Sequence, residues 1–255
     1  MKQYRAVQLI SEAILLDGMA QALFLKGSLA RQEEDQYSDV DFYVVVSEDN
    51  LLKFLDKRLD YLRSYAPILH HFEENFVAPQ IVCIFEDGLH FDFFVTTKNQ
   101  INHFDNISII FDPHNLLGSY KKSPLNLSNQ EIAGIINSFC FTAIEFYAAY
   151  NRQDFLFAFR LSHLMFGDLG KYLRSIVDPD YAKIGLKRFY AKLEEPYKTR
   201  YLEIAKKISF DNSLISIKMM FVLFDSLIMS IPIRIAEHVN FEFFQYSKKL
   251  IMGME

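Results

Sequence analysis

The sequence predicts an α+β fold in two parts, a mixed sheet with packed helices followed by an all-α helical bundle. Three observations predict it. Short β-branched and aromatic runs, punctuated by Gly, are confined to about the first 115 residues. The stretch "SYKKSPLNLSNQ", residues 119 to 130, then breaks the pattern with Pro124, Asn126 and Ser128. Beyond it no strand-like alternation stands out, and long segments of helical periodicity follow. The expected domains are therefore 1–120 and 121–255.

Residues 2 to 16 carry apolar positions at roughly helical spacing and predict an opening helix. "ALFLKG" and "VDFYVVVS" predict two strands. "NLLKFLDKRLDYLRSY" is amphipathic, with Leu51, Leu52, Phe54, Leu55, Leu59 and Leu62 at mostly i+3 or i+4 steps. In "QIVCIFEDGLHFDFFVTT" the Asp-Gly step separates two β-rich runs, and Gly supplies the positive φ of a tight hairpin turn. Strands are expected at about 80–85 and 89–95. Ser128 with Glu131 fits a capping box, and helices are expected at about 129–150, 153–176, 194–209 and 213–230.

The chain has 255 residues, 51% of them hydrophobic and 15% aromatic, enough for cores of ordinary size. Its formal charge of -5 argues against a general nucleic-acid coat, which needs an excess of Lys and Arg. Cys83 and Cys140 sit in apolar contexts without CxxC or His-Cys spacing, so buried free thiols and a reducing, cytoplasmic compartment are expected. The N-terminus has spread charges and no small-residue cleavage site, unlike a signal peptide. The greasiest segment, 213–233, is interrupted by Lys218 and Asp225, each costing about 2.5–3.5 kcal/mol at a bilayer centre. A buried helix ending near Pro232, with no membrane partner, is the expectation.

The chemistry concentrates in "LFLKGSLARQEEDQYSDVDFYVVV", residues 23 to 46. Residues i and i+2 of a strand share a face, so Asp39 and Asp41 project together. Two carboxylates on a half-buried face repel each other and lose hydration, and a divalent cation relieves both costs. Magnesium is commonly held by one or two carboxylates plus substrate phosphates. Gly27 lets backbone approach a phosphate closely, and the Ser28 hydroxyl can donate to its oxygens. A third carboxylate is Asp92 in "LHFDFFV", where an unpaired charge would be costly. Glu86 and Asp87 are rivals at the hairpin tip.

Gly27-Ser28, then Asp39-Val40-Asp41, then a later strand Asp resembles the nucleotidyltransferase superfamily that shares the DNA polymerase β palm. Within it the stretch is similar to the small bacterial antibiotic nucleotidyltransferases acting on lincosamides and aminoglycosides, which join such a domain to a helical bundle. The resemblance implies that Asp39, Asp41 and Asp92 hold magnesium, two ions in all, and that Gly27 and Ser28 hold the β- and γ-phosphates of ATP or another nucleoside triphosphate. Arg31 and Lys26 would add charge. Members often carry Gly or a small residue where Gln32 stands, so the loop backbone is expected to differ there. The implied activity is magnesium-dependent transfer of a nucleoside monophosphate, AMP from ATP, to a hydroxyl of a small-molecule acceptor, with release of pyrophosphate. AMP transfer to a protein or tRNA, as in toxin–antitoxin members, and a degenerate non-catalytic nucleotide-binding module are the alternatives. Some members complete the site across a dimer, so a homodimer is a further expectation.

An acceptor hydroxyl needs a base. On the first helix of the bundle, positions 132, 135, 136, 139, 140 and 143 form an apolar stripe, and Glu131, Ser138, Thr142, Glu145 and Arg152 fall on another. Glu145 resembles the helical-domain carboxylate of antibiotic-modifying members; a solvated Glu is the plainer reading, and Asp92 could itself serve as base. The next helix places Arg160, His163, Gly167, Lys171 and Arg174 at 3- or 4-residue intervals. That stripe is either a solvated face or a nucleotide contact through Arg160 or Lys171, with Gly167 admitting a close neighbour. Residues 171–218 hold 11 Lys or Arg against 6 Asp or Glu, a solvated surface or a patch for an anionic acceptor such as tRNA. "EEDQYSD" favours cationic acceptors instead, unless it is a mobile loop.

Overall fold

The computed structural model describes residues 1–255, and the chain divides into two compact units, Met1–Pro124 and Leu125–Glu255. In the first unit, helix α1 (Lys2–Asp17) buries Ala6, Val7, Ile10 and Ile14 and stops at Gly18, whose left-handed conformation caps it. Strand β1 (Ala20–Leu25), the short helix α2 (Gly27–Arg31), strand β2 (Val40–Val46) and helix α3 (Leu51–Arg63) follow. Three more strands, β3 (Ile68–Glu74), β4 (Gln80–Phe85) and β5 (His90–Thr97), lead to a short last strand, β6 (Ser108–Phe111).

These six strands form one sheet in the order β3-β4-β5-β2-β1-β6. It is mixed, because β2 and β5 run parallel while the other pairs are antiparallel. β2 lies inside the sheet, which explains why it reads as an unbroken apolar run after Asp41. Its alternation sets the two faces. Phe42, Val44 and Val46 join Phe91, Phe93 and Val95 in a core with residues of α1 and α3. Tyr43 and Val45 face the other way, where Tyr43 stacks on Phe24 (5.0 Å) and Phe94 (4.3 Å). The β4–β5 turn places Gly88 at φ +73, as the Asp-Gly step requires.

Two strands were not legible beforehand, and both lie at sheet edges. β3 has five exposed residues of seven, and β6 is four residues long. Neither has a fully covered face to impose alternation.

The second unit contains α4 (Asn129–Asn151), α5 (Phe155–Val177), α6 (Tyr197–Lys207), α7 (Ser213–Ile228), the single-turn α8 (Ile233–Ala236) and α9 (Phe241–Met252). Its core stacks Tyr172 on Phe224 and sets Phe139, Phe221 and Phe244 around them. The capping box at Ser128 forms, with the Glu131 amide donating to Ser128 Oγ (3.2 Å) and the Ser128 amide donating to Glu131 Oε2 (2.7 Å). The charges inside the greasy segment are both answered. Lys218 donates to the Met254 carbonyl, and Asp225 pairs with Lys248 at 2.9 Å. The helix long and apolar enough to cross a membrane is instead α4, and 56% of its most apolar window is buried. Its stripe at Ile132, Ile135, Ile136, Phe139, Cys140 and Ala143 is buried as expected, and Thr142 is buried too. Cys83 and Cys140 are free and buried, and burial pushes their thiols up to about 12 and about 11.

Candidate active site

The site residues of the first unit gather at the start of the parallel pair β2–β5. Asp41 and Asp92 occupy the same register, so they lie side by side on the face opposite the α1–α3 core. Asp39, two residues before Asp41, shares that face, and so does His90, two before Asp92. β1 delivers Gly27 to the same end, because the Lys26 amide donates to the Asp41 carbonyl at 3.0 Å.

Gly27 has φ +63, and a Cβ there would fall 1.9 Å from Asp41 Oδ2. The Asp41 carboxylate thus fills the space that a side chain would take. Next to it the Ser28 hydroxyl is buried without a hydrogen-bond partner. A buried hydroxyl left unsatisfied costs about 1–3 kcal/mol, which an incoming acceptor oxygen would recover. Gln32 holds the left-handed conformation at the end of α2, φ 59 and ψ 38. The loop keeps the turn that Gly would make freely, at a cost of about 1–2 kcal/mol.

Lys26 is buried, with its ammonium 4.9 Å from the centre of the Tyr43 ring and 5.6 Å from that of Tyr120. It also donates to the Asn102 carbonyl. Burial lowers its pKa to about 8, while the fields of Asp105 and Asp41 act in the opposite direction. Arg31 is tied to two carboxylates, pairing with Asp105 and with Glu33 at 2.9 Å. Asp105 is itself buried, so this pair anchors the segment after β5 to α2. The acidic "EEDQYSD" stretch is fastened as well. Tyr4 donates to Glu34, and Gln3 donates to the Ser38 carbonyl at 2.9 Å.

Asp39, His90 and Asp92 form a cluster of potential ligand atoms, each within 4.8 Å of the others. All three are half-buried. His90 Nε2 lies 3.2 Å from Asp92 Oδ1, and Gln80 Nε2 donates to the same oxygen at 2.9 Å. The hydrogen bond with Asp92 raises the His90 pKa; burial opposes it, and the charges of Asp92, Asp39 and Asp41 reinforce it. Sequence reasoning missed His90, although its signal was present: it stands two residues before Asp92 on a strand. The cluster and the orphaned Ser28 hydroxyl together fit a divalent cation and a phosphate, since oxygen and imidazole donors suit such a cation and a hydroxyl donor suits the anion.

Glu145, Arg160 and Lys171 belong to the second unit. Glu145 and Arg160 are exposed, and Lys171 is half-buried. Arg174 of the same stripe is buried, paired with Asp178 at 2.8 Å and donating to the Gly185 and Lys187 carbonyls at 2.7 Å. A Cβ at Gly167 would meet nothing within 4 Å; Gly170 is the close approach, with Tyr201 Oη 2.1 Å from the position of a Cβ.

No family model matches the chain, and no curated protein matches it. Among solved structures it is similar to an aminoglycoside 6-adenyltransferase from Bacillus subtilis, at 12% identity over 99% of this chain and 98% of that one, with a TM-score of 0.39.

Proposed function

We propose that the chain is a divalent-metal-dependent nucleotidyltransferase that moves AMP from ATP onto a hydroxyl of a small-molecule acceptor, an aminoglycoside or lincosamide being the class its motif favours. One observation carries the reading: a phosphate cradle, Gly27 without room for a Cβ beside the orphaned Ser28 hydroxyl, opens at the strand ends that carry Asp39, Asp41 and Asp92. Asp41 belongs to both halves, with its carboxylate against Gly27 and its backbone in register with Asp92.

In this reading the acceptor oxygen bonds to the α-phosphorus, the bond from that phosphorus to the bridging oxygen breaks, and pyrophosphate leaves with the electron pair. Ser28 donates to the terminal phosphates, and Lys26 contributes positive charge beside them. Asp39, Asp41 and Asp92 would hold the cation, which when bound neutralises charge on the attacking and leaving oxygens. Asp92, held through Oδ1 by the Gln80 amide, takes the hydroxyl proton. Glu145 is the alternative base, with Arg160 and Lys171 as nucleotide contacts. The buried free thiols support a reducing, cytoplasmic setting.

Calorimetry with ATP and magnesium tests the donor half. The wild type should bind ATP only when the metal is present, and Asp41→Asn should weaken this at least tenfold. A wild type with no metal-dependent triphosphate binding would sink the proposal. Pyrophosphate release across aminoglycosides, lincosamides and tRNA then identifies the acceptor, and Glu145→Gln separates the two bases by its effect on turnover at unchanged ATP affinity.

A further inference from the structure

We propose that His90 is a direct ligand of the cation in this site, so that the site selects a transition ion such as manganese over magnesium. This rests on the nucleotidyltransferase reading and sharpens its metal. A pure carboxylate set favours hard oxygen-seeking ions, whereas imidazole shifts preference toward the transition series.

Three features of the structure place His90 there. Its ring nitrogen lies within 4.8 Å of ligand oxygens from both Asp39 and Asp92. Asp41, the other carboxylate of the strand pair, lies outside that grouping, with one oxygen, Oδ2, beside Gly27. The 3.2 Å between His90 Nε2 and Asp92 Oδ1 is also close to the spacing of two adjacent ligands around one ion, about 3 Å for bonds of about 2.1 Å at right angles. The buried Gln80 amide holds the Asp92 carboxylate from outside, the kind of support that orients a ligand before the ion arrives. At 41% side-chain exposure, His90 is neither core packing nor fully solvated.

The test uses the full chain and manganese itself. Electron paramagnetic resonance titration should show that manganese binds about tenfold or more tightly than magnesium competes. Spin-echo modulation should show a nitrogen-14 coupling from a coordinated imidazole. His90→Ala and His90→Gln should abolish that coupling and bring the manganese-to-magnesium preference close to one. A coupling that survives His90→Ala, or vanishes only in a His70→Ala/His71→Ala double variant, would overturn the assignment by showing that another histidine binds the ion. Equal preference for both metals in the wild type would also overturn it. Calorimetry separates this failure from a broader one: magnesium-dependent ATP binding with no nitrogen coupling refutes the role of His90 alone, and loss of all metal-dependent ATP binding refutes the nucleotidyltransferase reading.

Discussion

Gly27 carries two constraints at once, a left-handed backbone at φ +63 and the Asp41 carboxylate in the space of its missing side chain. Gly27→Ala should therefore cost about 1–3 kcal/mol in strain, displace Asp41, and weaken ATP binding at least tenfold; urea unfolding and calorimetry read the two effects separately. Lys26 makes a pH prediction. Its pKa is lowered from 10.5 to about 8 in the folded chain, so between those values the unfolded chain holds a proton that the folded one has released. Stability then rises with pH across that window and loses this contribution as pH falls through about 8. The difference in unfolding free energy between wild type and Lys26→Met, measured from pH 7 to 10.5, should change with that sign, and a flat difference would refute the lowered pKa. The residues of the proposed donor site were readable at this scale because glycine, serine and i, i+2 carboxylates announce themselves by spacing. Asp105 was not, since it pairs with Arg31 across 74 positions from a segment without regular structure.

Among the elements, regular periodicity and strong turn chemistry made four strands and the long helices legible, each to within a few residues. What escaped were elements that bury little: the edge strands β3 and β6, the five-residue α2, and α9, whose buried positions are Phe244, Ser247 and Ile251. One polar residue in three dilutes an apolar stripe below recognition. Helix α5 shows the same limit in its glycines, because sequence spacing pointed to Gly167 as the close contact and packing places it at Gly170. The pair makes a direct test. Gly170→Ala would drive a methyl into Tyr201 and Leu186 and should cost about 1–3 kcal/mol. Gly167→Ala meets open space and should stabilise the helix by about 0.5–1 kcal/mol. Thermal unfolding of the two variants should move in opposite directions.

At the scale of the whole molecule, each unit has its own core and its own buried thiol, Cys83 on β4 in the first and Cys140 on α4 in the second. Both thiols are fully buried, and their raised pKa values suppress the reactive thiolate. Labelling by a thiol reagent therefore reports how often each unit opens. The proposed metal and phosphate residues Gly27, Ser28, Asp39, Asp41 and Asp92 all lie in the first unit, and Cys83 sits on the strand beside β5, which carries Asp92. A ligand that binds only the closed form slows opening by one plus its concentration over its dissociation constant. With ATP and metal at about 100 times that constant, Cys83 labelling should slow about 100-fold. If the units open independently, Cys140 should keep its rate; equal slowing of both would mean that they open together. Protection of Cys140 without protection of Cys83 would instead place the nucleotide on the helical unit, where Arg160 and Lys171 lie, and would remove Gly27 and Ser28 from the phosphate site.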